Sequence, residues 1–303
     1  MKLLDFLEHN GIEFKLKQSL SNYTNFKIGG ECPVMVFPSS ISKFVRLLKF
    51  LNESNIKFYV LGAGTNILCS DNGYDGVIIK LGGKLKNYKL EGNRIFAEAG
   101  MNLFELNRIL LEHSLSGLEF SYGIPGSVGG AVCMNAGAYG KSVGDYIVNV
   151  KVFDGHKIRT LSKSEMKFAY RHSVVFEKHY VVLGATFLLD NGVYESIKQS
   201  QQQFLTKRLE TQPYHEASAG SVFKRLENGV TPVSKMIDEL GLKGYSVGDA
   251  QISTIHAGFI VNKGKASCND VKNLIKYIKS RVKASYDEDI ELEIVLLGEN
   301  WWF

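Results

Sequence analysis

The stretch FYVLGAGTNIL, residues 58–68, decides how the chain is read. Phe58–Leu61 has the composition of a short buried strand, and it runs directly into Gly62-Ala63-Gly64. Such loops place backbone N–H groups where a phosphate can sit. The run starts like a dinucleotide fingerprint, but position 67 is Ile where a third small residue would be needed. It also lacks the GxxxxGK[ST] pattern of a P-loop. Taken alone, the loop reads equally as a phosphate cradle or a tight turn. Thr65 and Asn66 tilt it toward the cradle, because both side chains can bond phosphate oxygens.

Residues 40–55 carry apolar residues at helical spacing after Ser39-Ser40, which predicts a capped amphipathic helix. Residues 77–81 predict another strand, so this part is strand–helix–strand in character. A strand over 94–99, a helix over 102–114 and a strand over 180–189 follow. A hairpin at 146–153 and 156–161 turns on Asp154-Gly155. Between them lies SYGIPGSVGGAVCMNAGAYGKSVG, residues 121–144. So long a glycine-rich stretch favours ligand contact over a structural crossing. A polar helix over 195–210 carries a domain boundary. A second cluster spans 219–262, then a lysine-rich helix over 268–285 and a closing strand over 290–297. The opening residues, 1–8, predict a short amphipathic helix.

Composition narrows the function. The 303 residues are 45% hydrophobic with a formal charge of +5, too weak a surplus to argue for nucleic acid. The four cysteines show no CxxC spacing, so reduced thiols are expected and neither a disulfide framework nor a metal site is. No apolar run is long enough to span a bilayer. A cytoplasmic protein, without membrane insertion and working as a monomer, is expected. His215-Glu216 begins HExxH but meets Ala219, and neither Ser127 nor Ser221 sits in GxSxG, so metalloprotease and serine hydrolase readings fail. By itself, Arg171 in Tyr170-Arg171-His172-Ser173 is an ordinary surface arginine. Glu291 and Glu293, two apart on the closing strand, are more often solvated than catalytic.

In order, the blocks TNFKIGG (24–30), LGAGTNIL (61–68), GIPGSVGG (123–130), MNAGAYG (134–140), YRHS (170–173), AGSVFK (219–224), GLKG (241–244), GDAQIS (248–253) and HAGFIVN (256–262) cover nearly the whole chain. Leu292-Glu293 before Gly298 completes them. Together they resemble the UDP-N-acetylenolpyruvoylglucosamine reductase (MurB) family, in its shorter subtype. The resemblance implies an α+β fold: an FAD-binding fold of the vanillyl-alcohol-oxidase type, built of two α+β subdomains, plus a C-terminal α+β substrate domain. The expected boundaries are 1–82, 83–205, 206–287, and a closing strand and tail at 288–303 returning toward the FAD region.

It further implies non-covalent FAD, NADPH as hydride donor, and UDP-N-acetylglucosamine-enolpyruvate as substrate. Arg171, Ser221 and Glu293 match the family's catalytic arginine, general acid and carboxylate, with Glu291 the less favoured carboxylate. Gly62, Ala63, Gly64, Thr65, Asn66 and Ile67 would hold the pyrophosphate. Gly123, Ile124, Pro125, Gly126, Ser127, Gly130, Asn135, Ala136, Gly137 and Ala138 would approach the flavin. Tyr170, Lys224, Gln251 and His256 would contact the UDP-sugar. Arg225 stands where the family often has Asn, and Trp301-Trp302-Phe303 has no assigned role. Competing readings are an oxygen-using FAD oxidase of the same fold and a non-catalytic flavin or nucleotide module. The first lacks a recognisable flavin-attachment motif; the second is disfavoured by the joint presence of Arg171, Ser221 and Glu293.

Overall fold

The computed structural model describes residues 2–226 and 232–298. The Trp301-Trp302-Phe303 tail lies outside the described residues. The chain forms two compact units. One comprises Met1–Lys15, Val34–Ala63 and Gly76–Lys207; the other comprises Leu16–Pro33, Gly64–Asp75 and Arg208–Phe303.

In the first unit the expected strand–helix–strand pattern is parallel. Val77–Lys80 is flanked by Phe58–Leu61 and by Glu31–Phe37, both running its way. The helix Ile41–Glu53 is capped by Ser40, whose Oγ accepts the Lys43 N–H at 3.2 Å. Its Phe44, Val45, Leu47, Leu48 and Leu51 are buried, as the 3.6-residue period requires. The second sheet is antiparallel, in the order Ile158–Ser162, Ile147–Phe153, Val181–Leu188, Arg94–Glu98, Tyr88–Glu91. Its hairpin turns at Asp154, whose Oδ1 accepts the N–H groups of His156 and Lys157. One apolar core runs from Phe6 through Leu48, Ile79 and Leu106 to Phe187.

In the second unit Ala217–Ser221, Phe259–Asn262, Ala250–Ile252 and Ser246–Val247 form an antiparallel sheet. Helix Cys268–Tyr286 contributes Val271, Leu274, Ile275, Ile278 and Val282 to this unit's core. A capping box between Ser267 and Asp270 starts it. The Asp71 carboxylate adds two more bonds, to the N–H groups of Cys268 and Asn269 at 2.7 and 3.1 Å.

The expected strand over 290–297 is shorter than its sequence suggests. Only Val295–Leu297 pairs as a strand, in parallel with Ile67–Cys69. That partner is three residues long, so the ladder ends with it. The residues before it bridge elsewhere, through Phe223 and Leu292.

Candidate active site

Several local devices shape the predicted site residues in the first unit. Gly62 follows the strand Phe58–Leu61, where a parallel sheet offers its carboxyl ends. A Cβ at Gly62 would run into the Ser127 Oγ. The bare backbone of the first glycine-rich loop at Gly62 therefore meets the Ser127 side chain of the second. Ser127 is itself fixed: its Oγ accepts the Gly130 N–H at 3.2 Å and so caps the short helix Val128–Cys133. That helix is bound to the preceding strand end, with Val128 N–H on the Met101 carbonyl and Gly129 N–H on that of Ala99. Gly123 adopts φ +88°, a conformation glycine takes without Cβ strain. Gly137 and Ala138 pair with Ser142 and Lys141 in a small hairpin.

Arg171 sits at the tip of a tight turn. Ala169 and His172 exchange both backbone hydrogen bonds, leaving Tyr170 and Arg171 between them. Arg171 adopts φ +51°, in the left-handed region that a non-glycine residue occupies only under constraint. The constraint is visible. Asn135, buried, donates from Nδ2 to the Ala169 carbonyl at 2.9 Å and accepts the Gly144 N–H on Oδ1 at 3.0 Å. Ser173 Oγ donates to the Cys133 carbonyl at 2.5 Å. The turn is thus pinned on both sides to the glycine-rich segment. The Arg171 guanidinium lies 5.2 Å from the Tyr170 ring centroid.

The second unit brings Ser221 and Glu293 onto neighbouring backbones. Ser221 ends its strand opposite Phe259, after a bulge that contains Gly220 at φ +81°. The next carbonyl, that of Val222, accepts the Glu293 N–H at 2.8 Å. The Lys224 N–H in turn bonds the Glu291 carbonyl at 2.9 Å. Asn66 holds the other side, with Nδ2 on the Glu293 carbonyl at 3.1 Å and its own carbonyl on the Val295 N–H. Glu291 is engaged by the Lys224 ammonium at 2.9 Å, which holds its carboxyl below the usual range. Gly64, at φ +74°, packs against Tyr23 with its carbonyl on the Asn25 N–H, and Ile67 is buried at the start of its strand.

Gln251 donates from Nε2 to the Gly244 carbonyl and to Ser246 Oγ, at 3.2 and 3.0 Å. His256 accepts the Gly258 N–H on Nδ1 at 3.1 Å, so a neutral ring carries its proton on Nε2. Burial pushes its pKa down and favours that neutral form.

One residue escaped the sequence reading. Lys80, the last residue of Val77–Lys80, donates from Nζ to the Gly62 carbonyl and to that of Leu81, the latter at 3.1 Å. The available signal was a lone lysine closing an otherwise apolar strand.

These residues fit FAD on two counts. Gly62, where a Cβ would strike the Ser127 Oγ, lets the two glycine-rich loops close up at the carboxyl end of the parallel strand. Lys80 supplies a cation without a carboxylate partner among the described residues. Residues 33–157 match the family described as FAD binding domain. The architecture and this site together define a flavin-dependent oxidoreductase with an FAD-binding fold of the vanillyl-alcohol-oxidase type. Residues 212–297 match the C-terminal domain of UDP-N-acetylenolpyruvoylglucosamine reductase. The reductase of that name from Caldanaerobacter subterraneus subsp. tengcongensis is 43% identical over 94% of this chain and 93% of its own. That from Streptococcus pneumoniae strain JJA is 43% identical over 99% and 98%. The crystal structure of the Thermus caldophilus enzyme superposes with a TM-score of 0.80 at 31% identity, over 94% of this chain and 98% of its own. The chain belongs to the UDP-N-acetylenolpyruvoylglucosamine reductase family, whose members serve peptidoglycan precursor synthesis. Among the described residues, no helix is long and apolar enough to cross a membrane.

Proposed function

We propose that this chain reduces the enolpyruvyl group of UDP-N-acetylglucosamine-enolpyruvate, with NADPH as the reductant, to give UDP-N-acetylmuramate. FAD, held by the glycine-rich loops, would supply the hydride chemistry between NADPH and C3 of the enolpyruvyl group. Gly62–Ile67 hold the pyrophosphate, while Gly123–Ser127, Gly130 and the backbone of Asn135–Ala138 approach the flavin. Arg171 stabilises the negative charge that develops at C2 and its carboxylate. A fixed donor in a dry site is worth about 3–4 kcal/mol for such charge. Ser221 delivers the proton to C2. A serine hydroxyl is a weak acid, so alignment and a neighbouring carboxylate matter. Glu293 is that carboxylate. Tyr170, Lys224, Gln251 and His256 contact the UDP-sugar.

One observation supports the reading most: the hydrogen bond from Glu293 N–H to the Val222 carbonyl, which runs the backbone at residue 293 beside the segment of the proposed acid. The division at 82/83, 205/206 and 287/288 belongs to the same proposal. So does a cytoplasmic monomer, a setting supported by a sugar nucleotide and a reduced nicotinamide as substrates.

The test is an anaerobic absorbance experiment. NADPH bleaches the oxidised flavin band, and UDP-N-acetylglucosamine-enolpyruvate restores it. Bleaching that reverses only on admitting air favours an oxidase and overturns the substrate assignment.

A further inference from the structure

The strongest unused group in the first unit is the Lys80 ammonium. It sits at the carboxyl end of the central parallel strand, in register with Leu61. Two of its three N–H donors go to the carbonyls of Gly62 and Leu81. Among the described residues it has no carboxylate partner. Half-burial pushes its pKa below the ordinary lysine value, with desolvation as the cause. A cation held away from water without a counter-ion is a cost unless an anion completes it.

The bond to Gly62 also has a directional effect. Across a trans peptide, C=O and the following N–H point opposite ways. Fastening the Gly62 carbonyl to Lys80 therefore turns the Ala63 N–H away from the lysine. The first peptide of the glycine loop is held in one orientation, and among the described residues its N–H donor meets no acceptor.

We infer that Lys80 is a binding residue for the diphosphate of FAD: it orients the Gly62–Ala63 peptide through two carbonyls and offers its remaining donor, with its charge, to the anion. A diphosphate also occurs in the UDP-sugar. On the proposed reading that Gly62–Ile67 hold the FAD pyrophosphate, the bond to Gly62 assigns the lysine to the flavin dinucleotide.

The test uses the full chain, stripped of flavin and titrated with FAD. K80M is expected to weaken FAD binding by about 10- to 100-fold, the range for losing one charge-assisted hydrogen bond. K80R keeps the charge but not the compact ammonium, and is expected to lose less affinity than K80M. The flavin-free K80M protein should melt at or above the wild-type temperature, because an uncompensated cation is gone. UDP binding to the FAD-loaded K80M protein should be unchanged. The inference is overturned if K80M binds FAD like wild type, if K80R loses as much affinity as K80M, or if UDP affinity falls instead. It is also overturned if flavin-free K80M loses as much melting temperature as the loaded form, which marks a purely structural lock. Wild-type protein that takes up no FAD would overturn the flavin reading and this inference with it.

Discussion

The meeting of Gly62 with Ser127 can be measured as a coupling energy. In Gly62→Ala the new Cβ overlaps the Ser127 Oγ, while Ser127 Cβ stays 3.5 Å away, at ordinary contact distance. The hydroxyl must therefore swing out. Doing so breaks its bond to the Gly130 N–H and uncaps the helix Val128–Cys133. Loss of a serine cap costs about 1 kcal/mol. Residual crowding brings Gly62→Ala to about 1–2 kcal/mol. Ser127→Ala alone loses only the cap, again about 1 kcal/mol. The double variant has neither hydroxyl nor clash, so it should cost no more than Ser127→Ala. The two effects are then non-additive by about 1–2 kcal/mol, within the range for residues in contact. Urea unfolding of the flavin-free chain, followed by far-UV circular dichroism, gives the four midpoints of the cycle. Additive single effects would refute the contact, and with it the idea that a bare backbone at residue 62 is what lets the loop close.

Other outcomes follow from the same geometry. Arg171→Lys keeps the charge but loses the planar fork, and should lower kcat by about 100-fold or more with FAD affinity unchanged, the loss seen when an oriented charge stabiliser is removed. Single-turnover reoxidation of reduced flavin by substrate reads this step. Ser221→Ala should leave bleaching by NADPH at the wild-type rate and slow only substrate-driven recovery, so unchanged steady-state turnover would sink its acid role. Asn135→Ala removes the bond to Ala169 and leaves the Gly144 N–H without its acceptor. It should destabilise the chain by about 1–3 kcal/mol, the cost of an unsatisfied buried donor, and lower kcat more than it raises KM. For His256, burial lowers the folded pKa, so folding favours the neutral ring. Its contribution to stability is complete above the ordinary histidine value and is lost as pH falls through the lowered one. Melting temperatures from pH 8 to 5 should fall more steeply in wild type than in His256→Asn.

Most local structure was legible because its causes are local. Ser40 announces its helix by capping, and its Oγ accepts the N–H three residues on. Asp154-Gly155 announces its hairpin in the same way. The discontinuity of the second unit was not legible. Segments 16–33 and 64–75 have no periodicity linking them to the residues after 207, yet they cluster with them. Single bonds across long sequence separations make the join: Asn25 Nδ2 to the Ser218 carbonyl, Asn262 Nδ2 to that of Phe26, and the Asp71 carboxylate to the N-terminus of Cys268–Tyr286. Bonds of this kind leave no pattern in a linear sequence.

The same distinction explains which parts of the candidate site could be read. Glycines advertise a close approach whatever their partner, so Gly62 and Gly123–Gly130 stood out. Roles made by pairing did not. Asn135 reads as one more loop residue until its two bonds to Ala169 and Gly144 are seen. Asn66 reads as a phosphate contact, yet its side chain carries the Glu293 backbone. Each links a glycine-rich loop to a proposed catalytic residue. A loop that binds cofactor, as proposed, and also positions the proposed carboxylate or arginine would couple flavin uptake to assembly of the catalytic groups. That coupling gives a reason for the dense glycine segments beyond ligand approach. With so few side chains available, those present do double work, and replacing Asn66 or Asn135 should disturb catalysis even where FAD still binds.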